Sequence, residues 1–160
     1  MRRAKWMIAI VALGLLVSGV TVWPAVPELE LAQEIAWGGE RGEGDIAGFV
    51  DEAIEGLQST EEQYPFLLYA HDWLAFAHIV LALLFAGAIR DPVRNKWIVQ
   101  CGLVMCVLIP VLAGVGIPVR GLPWQWFFID TAFGVVAGVL LGVAYRDIRR
   151  AERLALAAAA

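Results

Sequence analysis

Five ionisable side chains interrupt the apolar part of this sequence. Two histidines lie seven residues apart in the stretch YAHDWLAFAHIV, at the start of a segment that is otherwise strongly apolar. Two aspartates and one arginine complete the set of five, which is His71, Asp72, His78, Arg120 and Asp130. Ionisable groups within a membrane-spanning segment are costly in free energy, and they are candidates for a functional site.

The spacing of these residues places them at a common depth. His78 follows Trp73 by five residues and Asp130 follows Trp124 by six, which puts both side chains about 7–9 Å below the aromatic ring on a helix. His71 lies two helical turns above His78 on the same face. We therefore expect one polar layer near the outer face, in which His78 and Asp130 pair if their helices are neighbours.

Three interpretations of this layer remain open. The groups could pair to fix the register of the helices. They could form a ligand or proton site, with His78 and Asp130 carrying protons or contacting a quinone. His71 and His78 are also the candidate ligands for a metal or haem. Two histidines seven apart on one helix cannot hold opposite faces of a single haem iron, so each would need a ligand from another helix or from a partner.

The elements that position these residues are predicted from hydropathy. The chain has 160 residues, of which 60% are hydrophobic and 18% charged, whereas soluble domains are nearer half and a quarter. The apolar residues form four segments, at 6–23, 73–89, 97–117 and 124–145. Each is long enough to cross a hydrocarbon core of about 30 Å, and in lipid only a helix satisfies its own backbone. The predicted fold is therefore an all-α integral membrane protein with four transmembrane helices.

Basic residues predict the orientation of these helices. Ten of the twelve lysines and arginines flank the segments on one side, and only Arg41 and Arg120 fall on the other. This bias predicts that both termini lie in the cytoplasm and, for a bacterial chain, that the membrane is the inner membrane. No small-x-small cleavage site follows the first segment, so we expect an uncleaved anchor. The predicted organisation is an anchor at 1–23, an acidic extracytoplasmic segment at 24–68, a three-helix membrane module at 69–148 and a cytoplasmic tail at 149–160.

The extracytoplasmic segment contains an amphipathic helix. In DIAGFVDEAIEGL the apolar residues recur at helical spacing, and acidic residues occupy the opposite face. An acidic helix is repelled by anionic headgroups, in contrast to the basic helices that normally bind them. Three roles remain open for it: a lid packed on its own bundle, a docking surface for a partner, or an acidic mouth that collects cations.

Three glycines in the fourth apolar segment predict close helix packing. Gly134, Gly138 and Gly142 recur every four residues in FGVVAGVLLGVA, and this small-xxx-small pattern lets another helix approach closely. The partner helix could belong to the same chain, or to a second copy or a larger complex.

Four short motifs resemble a known family. They are DWLAFAHIV at 72–80, RDPVRN at 90–95, VRGLPW at 119–124 and IDTAFGV at 129–135. With these motifs, about half of the chain resembles a family of small bacterial four-helix inner-membrane proteins whose function is unknown. The resemblance implies a membrane module and no particular activity.

The sequence contains no hydrolase elbow, phosphate-binding glycine loop, metalloprotease helix or nucleic-acid-binding module. The net charge of −4 also argues against nucleic acid. We therefore expect a non-enzymatic accessory or structural subunit that meets lipid and assembles, with itself or with a larger complex, through the glycine-rich helix. No cofactor is predicted for this function. The alternative is a protein that handles a ligand, protons, quinone or haem through the polar layer.

Overall fold

Nearly all of the chain that the structure describes is helical. A computed structural model describes residues 1–23, 25–39 and 44–159, and this part of the chain contains no strand. The helices are α1 Arg2–Val22, α2 Ala25–Trp37, α3 Asp45–Gln63, α4 Pro65–Arg90, α5 Lys96–Arg120 and α6 Trp126–Ala159. Of these, α1, α4, α5 and α6 are long and apolar enough to span a membrane. The predictions of an all-helical chain and of four such segments are confirmed.

The four long helices have a definite order. α1 packs against both α4 and α6, α5 packs against α6, and α4 and α6 make little contact with each other. The helices in each of these packed pairs run antiparallel to each other. We call the end of the bundle that carries Val22 and Trp126 the α3 end, because α3 lies there. The opposite end, with Arg2 and Arg90, is the terminal end, where the Lys5 ammonium donates a 3.0 Å hydrogen bond to the Arg90 carbonyl.

The core occupies the half of the bundle nearer the terminal end. α1 buries one residue per turn, and α6 presents a matching row. The two rows are Ala4, Ile8, Val11 and Leu15, and Ala137, Leu141, Ala144 and Ile148. Spacings of three and four residues place each row on one face of its helix. Residues of α4 and α5, including Phe85 and Val99, complete this cluster, so all four helices meet here.

α2 and α3 lie outside the bundle as an antiparallel pair. α3 buries Ala47, Val50 and Ile54 on one face, which is the apolar face that the sequence predicts. At its start, the Phe49 ring packs edge-on against Trp126 of α6, with centroids 4.8 Å apart. At its end, α3 packs against α4. With 19 residues it extends about 28 Å, so it crosses the end of the bundle from α6 to α4.

Two helices extend beyond the apolar segments from which they were predicted. α4 begins at Pro65, four residues before the predicted start of the membrane module, because proline is favoured in the first turn of a helix. α6 continues to Ala159, so the predicted tail is an extension of the last helix as far as the structure describes it. Its residues are mainly alanine, leucine, arginine and glutamate, which are strong helix formers.

Candidate functional site

The two histidines of the predicted polar layer both contact α1. His71 Nε2 lies 2.8 Å from the carbonyl oxygen of Val22, and His78 Nδ1 lies 3.1 Å from the Ser18 hydroxyl. A carbonyl oxygen only accepts, so Nε2 of His71 carries a proton and donates. Both imidazoles are half-buried. The seven-residue spacing therefore places both side chains on the face of α4 that packs against α1.

Between the two histidine contacts, the backbones of α1 and α4 approach closely. A Cβ atom added at Gly19 would lie 2.7 Å from the carbonyl oxygen of Ala75 and 3.1 Å from the amide nitrogen of Ile79. Ala75 is fully buried. Glycine and alanine at a helix interface permit this kind of approach in membranes. We call the contact the histidine seam, and it consists of Ser18, Gly19 and Val22 on α1 with His71, Ala75 and His78 on α4.

Sequence reasoning missed the α1 half of this seam. The signal was the small pair Ser18-Gly19 within an otherwise bulky apolar segment, LLVSGVTV. A hydroxyl group beside a glycine provides both a hydrogen-bonding partner and a site of close approach. Nothing in the sequence paired it with the histidines, which lie more than fifty residues further along the chain.

The structure does not bring His78 and Asp130 together. α1 packs against both of their helices, and α4 makes little contact with α6. Among the described residues, the hydrogen-bonding partner of His78 is Ser18. Asp130 is exposed on α6, and its carboxylate interacts with the side chain of Trp126, one turn earlier. The expected imidazole–carboxylate pair is therefore not formed, because α4 and α6 are not neighbours.

The other two members of the predicted layer lie apart from the histidine seam. Asp72 is half-buried on α4, and Arg120 is exposed as the last residue of α5. Gly121 ends that helix in the left-handed conformation, with φ 68°. Neither Asp72 nor Arg120 forms a hydrogen bond or ion pair with another described residue. Within the described ranges, no three histidine, cysteine or acidic side chains are grouped so that they could hold a metal ion.

The three glycines of α6 have different surroundings. A Cβ atom at Gly134 would lie 3.2 Å from Ile109 Cδ1, and one at Gly138 would lie 3.5 Å from Cys106 Cβ. Both glycines therefore face α5 of the same chain. A Cβ atom at Gly142 would meet nothing within 4 Å. Two of the predicted packing glycines thus serve the α5–α6 contact, and the third is open to the surroundings.

An open apolar cleft lies between α5 and α6 at the α3 end. Its volume is about 360 Å³, and Ile117, Pro118, Trp124 and Phe127 are among the residues that line it. The lining is almost entirely apolar. Arg120 follows the lining residue Pro118 by two positions in the sequence, so a charged residue lies near the cleft.

Comparison with protein-family models, curated proteins and solved structures found no match to this chain. The family resemblance carried by the four motifs therefore stays a prediction. Conclusions about function depend on the contacts of the side chains themselves.

Proposed function

We propose that this chain is a non-enzymatic accessory or structural protein of the bacterial inner membrane. The single observation that carries the proposal is that both histidines contact α1. His71 and His78 are the side chains best suited to proton or metal chemistry, yet each contacts a group on α1. Both contacts flank the close approach at Gly19. Their geometry supports a role in holding two helices in register.

The distribution of charge supports an orientation with both termini in the cytoplasm and residues 24–68 outside. Ten of the twelve basic residues belong to the terminal end of the bundle, whereas eleven of the sixteen acidic residues lie between positions 24 and 65. Cytoplasmic flanks of membrane helices carry an excess of lysine and arginine. With this orientation, α2 and α3 cover the bundle on its extracytoplasmic side.

The surface proposed for assembly is the outward stripe of α6. Val135 and Val139 are each 63% exposed, and Gly142 follows them on the same face with open space beside it. These residues recur at spacings of four and three, as helix-packing positions do. Because Gly134 and Gly138 already pack against α5, we propose that Gly142 is the glycine that meets a second copy or another subunit.

Two matched substitutions test the proposed assembly surface. Gly142→Leu should leave the monomer folded and reduce the native mass of the complex purified gently from its own membrane. Gly138→Leu should instead destabilise the monomer, because its side chain would enter the contact with Cys106. The proposal fails if Gly142→Leu keeps the native mass and the co-purifying subunits of the unaltered protein.

The alternative function is the handling of a ligand, protons, quinone or haem at the α3 end. The apolar cleft favours it, together with Arg120 and Asp130, which form no ion pair with other described residues. A visible absorption spectrum and a native mass of the gently purified protein test this function. A Soret band or a bound mass of quinone size, lost in His78→Gln while assembly persists, would support it. Under the structural role, His78→Gln changes only stability.

A further inference from the structure

The last helix is much longer than the hydrocarbon core of a bilayer is thick. α6 has 34 residues and is about 51 Å long, whereas about 20 residues cross the hydrocarbon core. With Trp126 at one boundary of the core, residues from about 146 onward lie outside it at the terminal end. This extension carries four of the twelve basic residues of the chain.

The four arginines of the extension share one face of the helix. Arg146, Arg149, Arg150 and Arg153 are spaced i, i+3, i+4 and i+7, which places them along a single stripe. All four are exposed. We call them the arginine stripe. The buried residue Ile148 lies on the opposite side of the helix, against the core.

The two carboxylates of the same extension pair with basic side chains of other helices. Asp147 accepts two hydrogen bonds from the Arg3 guanidinium of α1, the Nε contact being 2.8 Å. Glu152 accepts one from the Lys96 ammonium of α5 at 2.7 Å. Arg150 contributes only a weaker electrostatic attraction to Asp147. Among the described residues, no carboxylate forms an ion pair with the arginine stripe, so its positive charge is left for an external anion.

We propose that the arginine stripe binds the phosphate groups of anionic phospholipids in the leaflet at the terminal end. The headgroup layer is about 5–8 Å thick on each side of the core, and Arg146 and Arg150 are separated by about 6 Å along the helix axis. Arginines four residues apart project side by side, so Arg146 with Arg150, and Arg149 with Arg153, can each hold one phosphate. Basic clusters directly beside a membrane helix commonly bind acidic lipids.

This inference depends on the proposed membrane placement, and it is independent of the proposed accessory role. Binding of lipid at the terminal end does not involve Gly142. A failure of the lipid test therefore leaves the assembly test unaffected, and the reverse also holds.

The test compares lipid binding by two charge-matched variants. Native mass spectrometry of the full chain in mild detergent would measure binding of phosphatidylglycerol and of phosphatidylcholine. The first variant, R149Q/R153Q, removes half of the stripe. The control, R90Q/R94Q, removes the same charge from the same end of the bundle, at the end of α4 and in the link that follows it. The substituted arginines are exposed and form no hydrogen bond or ion pair with other described residues, so the first variant should fold, and its melting temperature checks this.

The unaltered protein should bind phosphatidylglycerol more tightly than phosphatidylcholine. R149Q/R153Q should weaken phosphatidylglycerol binding about 25-fold, at about fivefold for each arginine, and R90Q/R94Q should weaken it much less. Equal losses in the two variants would overturn the proposal, since charge alone would then explain binding. So would the absence of a preference for phosphatidylglycerol. Lipid binding unchanged in R149Q/R153Q, with loss of a co-purifying acidic protein, would assign the stripe to a protein partner instead.

Discussion

Gly19→Ala should loosen the contact between α1 and α4. The added Cβ atom would lie 2.7 Å from the carbonyl oxygen of Ala75, whereas a comfortable carbon–oxygen contact is about 3.3 Å or more. The obstructing atoms include the backbone of α4, which cannot rotate away as a side chain can. The helices must therefore separate locally by about 0.6 Å.

This separation also weakens the two histidine contacts. The Ser18–His78 contact is already 3.1 Å long, so the same displacement takes it beyond normal hydrogen-bond length. Overpacking costs about 1–3 kcal/mol, and an interhelical hydrogen bond in a membrane contributes about 0.6 kcal/mol on average. We therefore expect Gly19→Ala to lower the free energy of unfolding by about 2–4 kcal/mol.

Unfolding with dodecyl sulfate in mild detergent, followed by circular dichroism, measures this loss. Gly142→Ala is the matched control, because it makes the same substitution in another long apolar helix where nothing lies within 4 Å. The control should leave stability unchanged or raise it by up to about 1 kcal/mol, because alanine is the better helix former. If Gly19→Ala is as stable as Gly142→Ala, the close approach at Ala75 does not constrain the bundle, and the reasoning is refuted.

Three further experiments test other contacts. A double-mutant cycle with Ser18→Ala and His78→Phe should give a coupling of about 0.6 kcal/mol, and not more than about 1.7 kcal/mol, in the same unfolding assay; zero coupling would remove the histidine seam as a stabilising contact. Phe49→Ala should expose α3 to protease without lowering the stability of the bundle much, because its ring packs on Trp126 outside the core; unchanged cleavage would argue against this anchor. Gly102→Ala should destabilise by about 1–3 kcal/mol, since its Cβ atom would lie 2.8–2.9 Å from two buried side chains; a neutral effect would show that those side chains repack freely.

The number of the long helices and their approximate positions could be predicted from the sequence. A run of about 20 apolar residues has few structural solutions, because backbone groups removed from water must bond within the segment. The amphipathic pattern of α3 was equally informative, and its buried residues Val50 and Ile54 lie where the pattern places them. These features depend on local composition and helical periodicity, so no knowledge of distant contacts was needed.

The tertiary structure alone decided which helices are neighbours. Depth could be counted along each segment, and His78 and Asp130 could be assigned to similar levels. Which helix each side chain faces depends on the lateral order of the bundle, and hydropathy is nearly the same around every span. Because α1 lies beside both α4 and α6, the hydrogen-bonding partner of His78 is the Ser18 hydroxyl group, whereas the predicted partner was the Asp130 carboxylate.

The glycines show the same division between sequence and structure. Their four-residue spacing in α6 predicted that some helix would approach closely, because spacing is a property of one helix. Which helix approaches depends on the packing of two helices against each other. Gly134 and Gly138 meet α5, and Gly142 meets nothing within 4 Å. A close approach of α1 and α4 occurs at Gly19, which belongs to no repeated pattern. The sequence determined the spans and their periodic faces, and the fold decided which faces meet, because lateral packing depends on shape complementarity between segments distant in the chain.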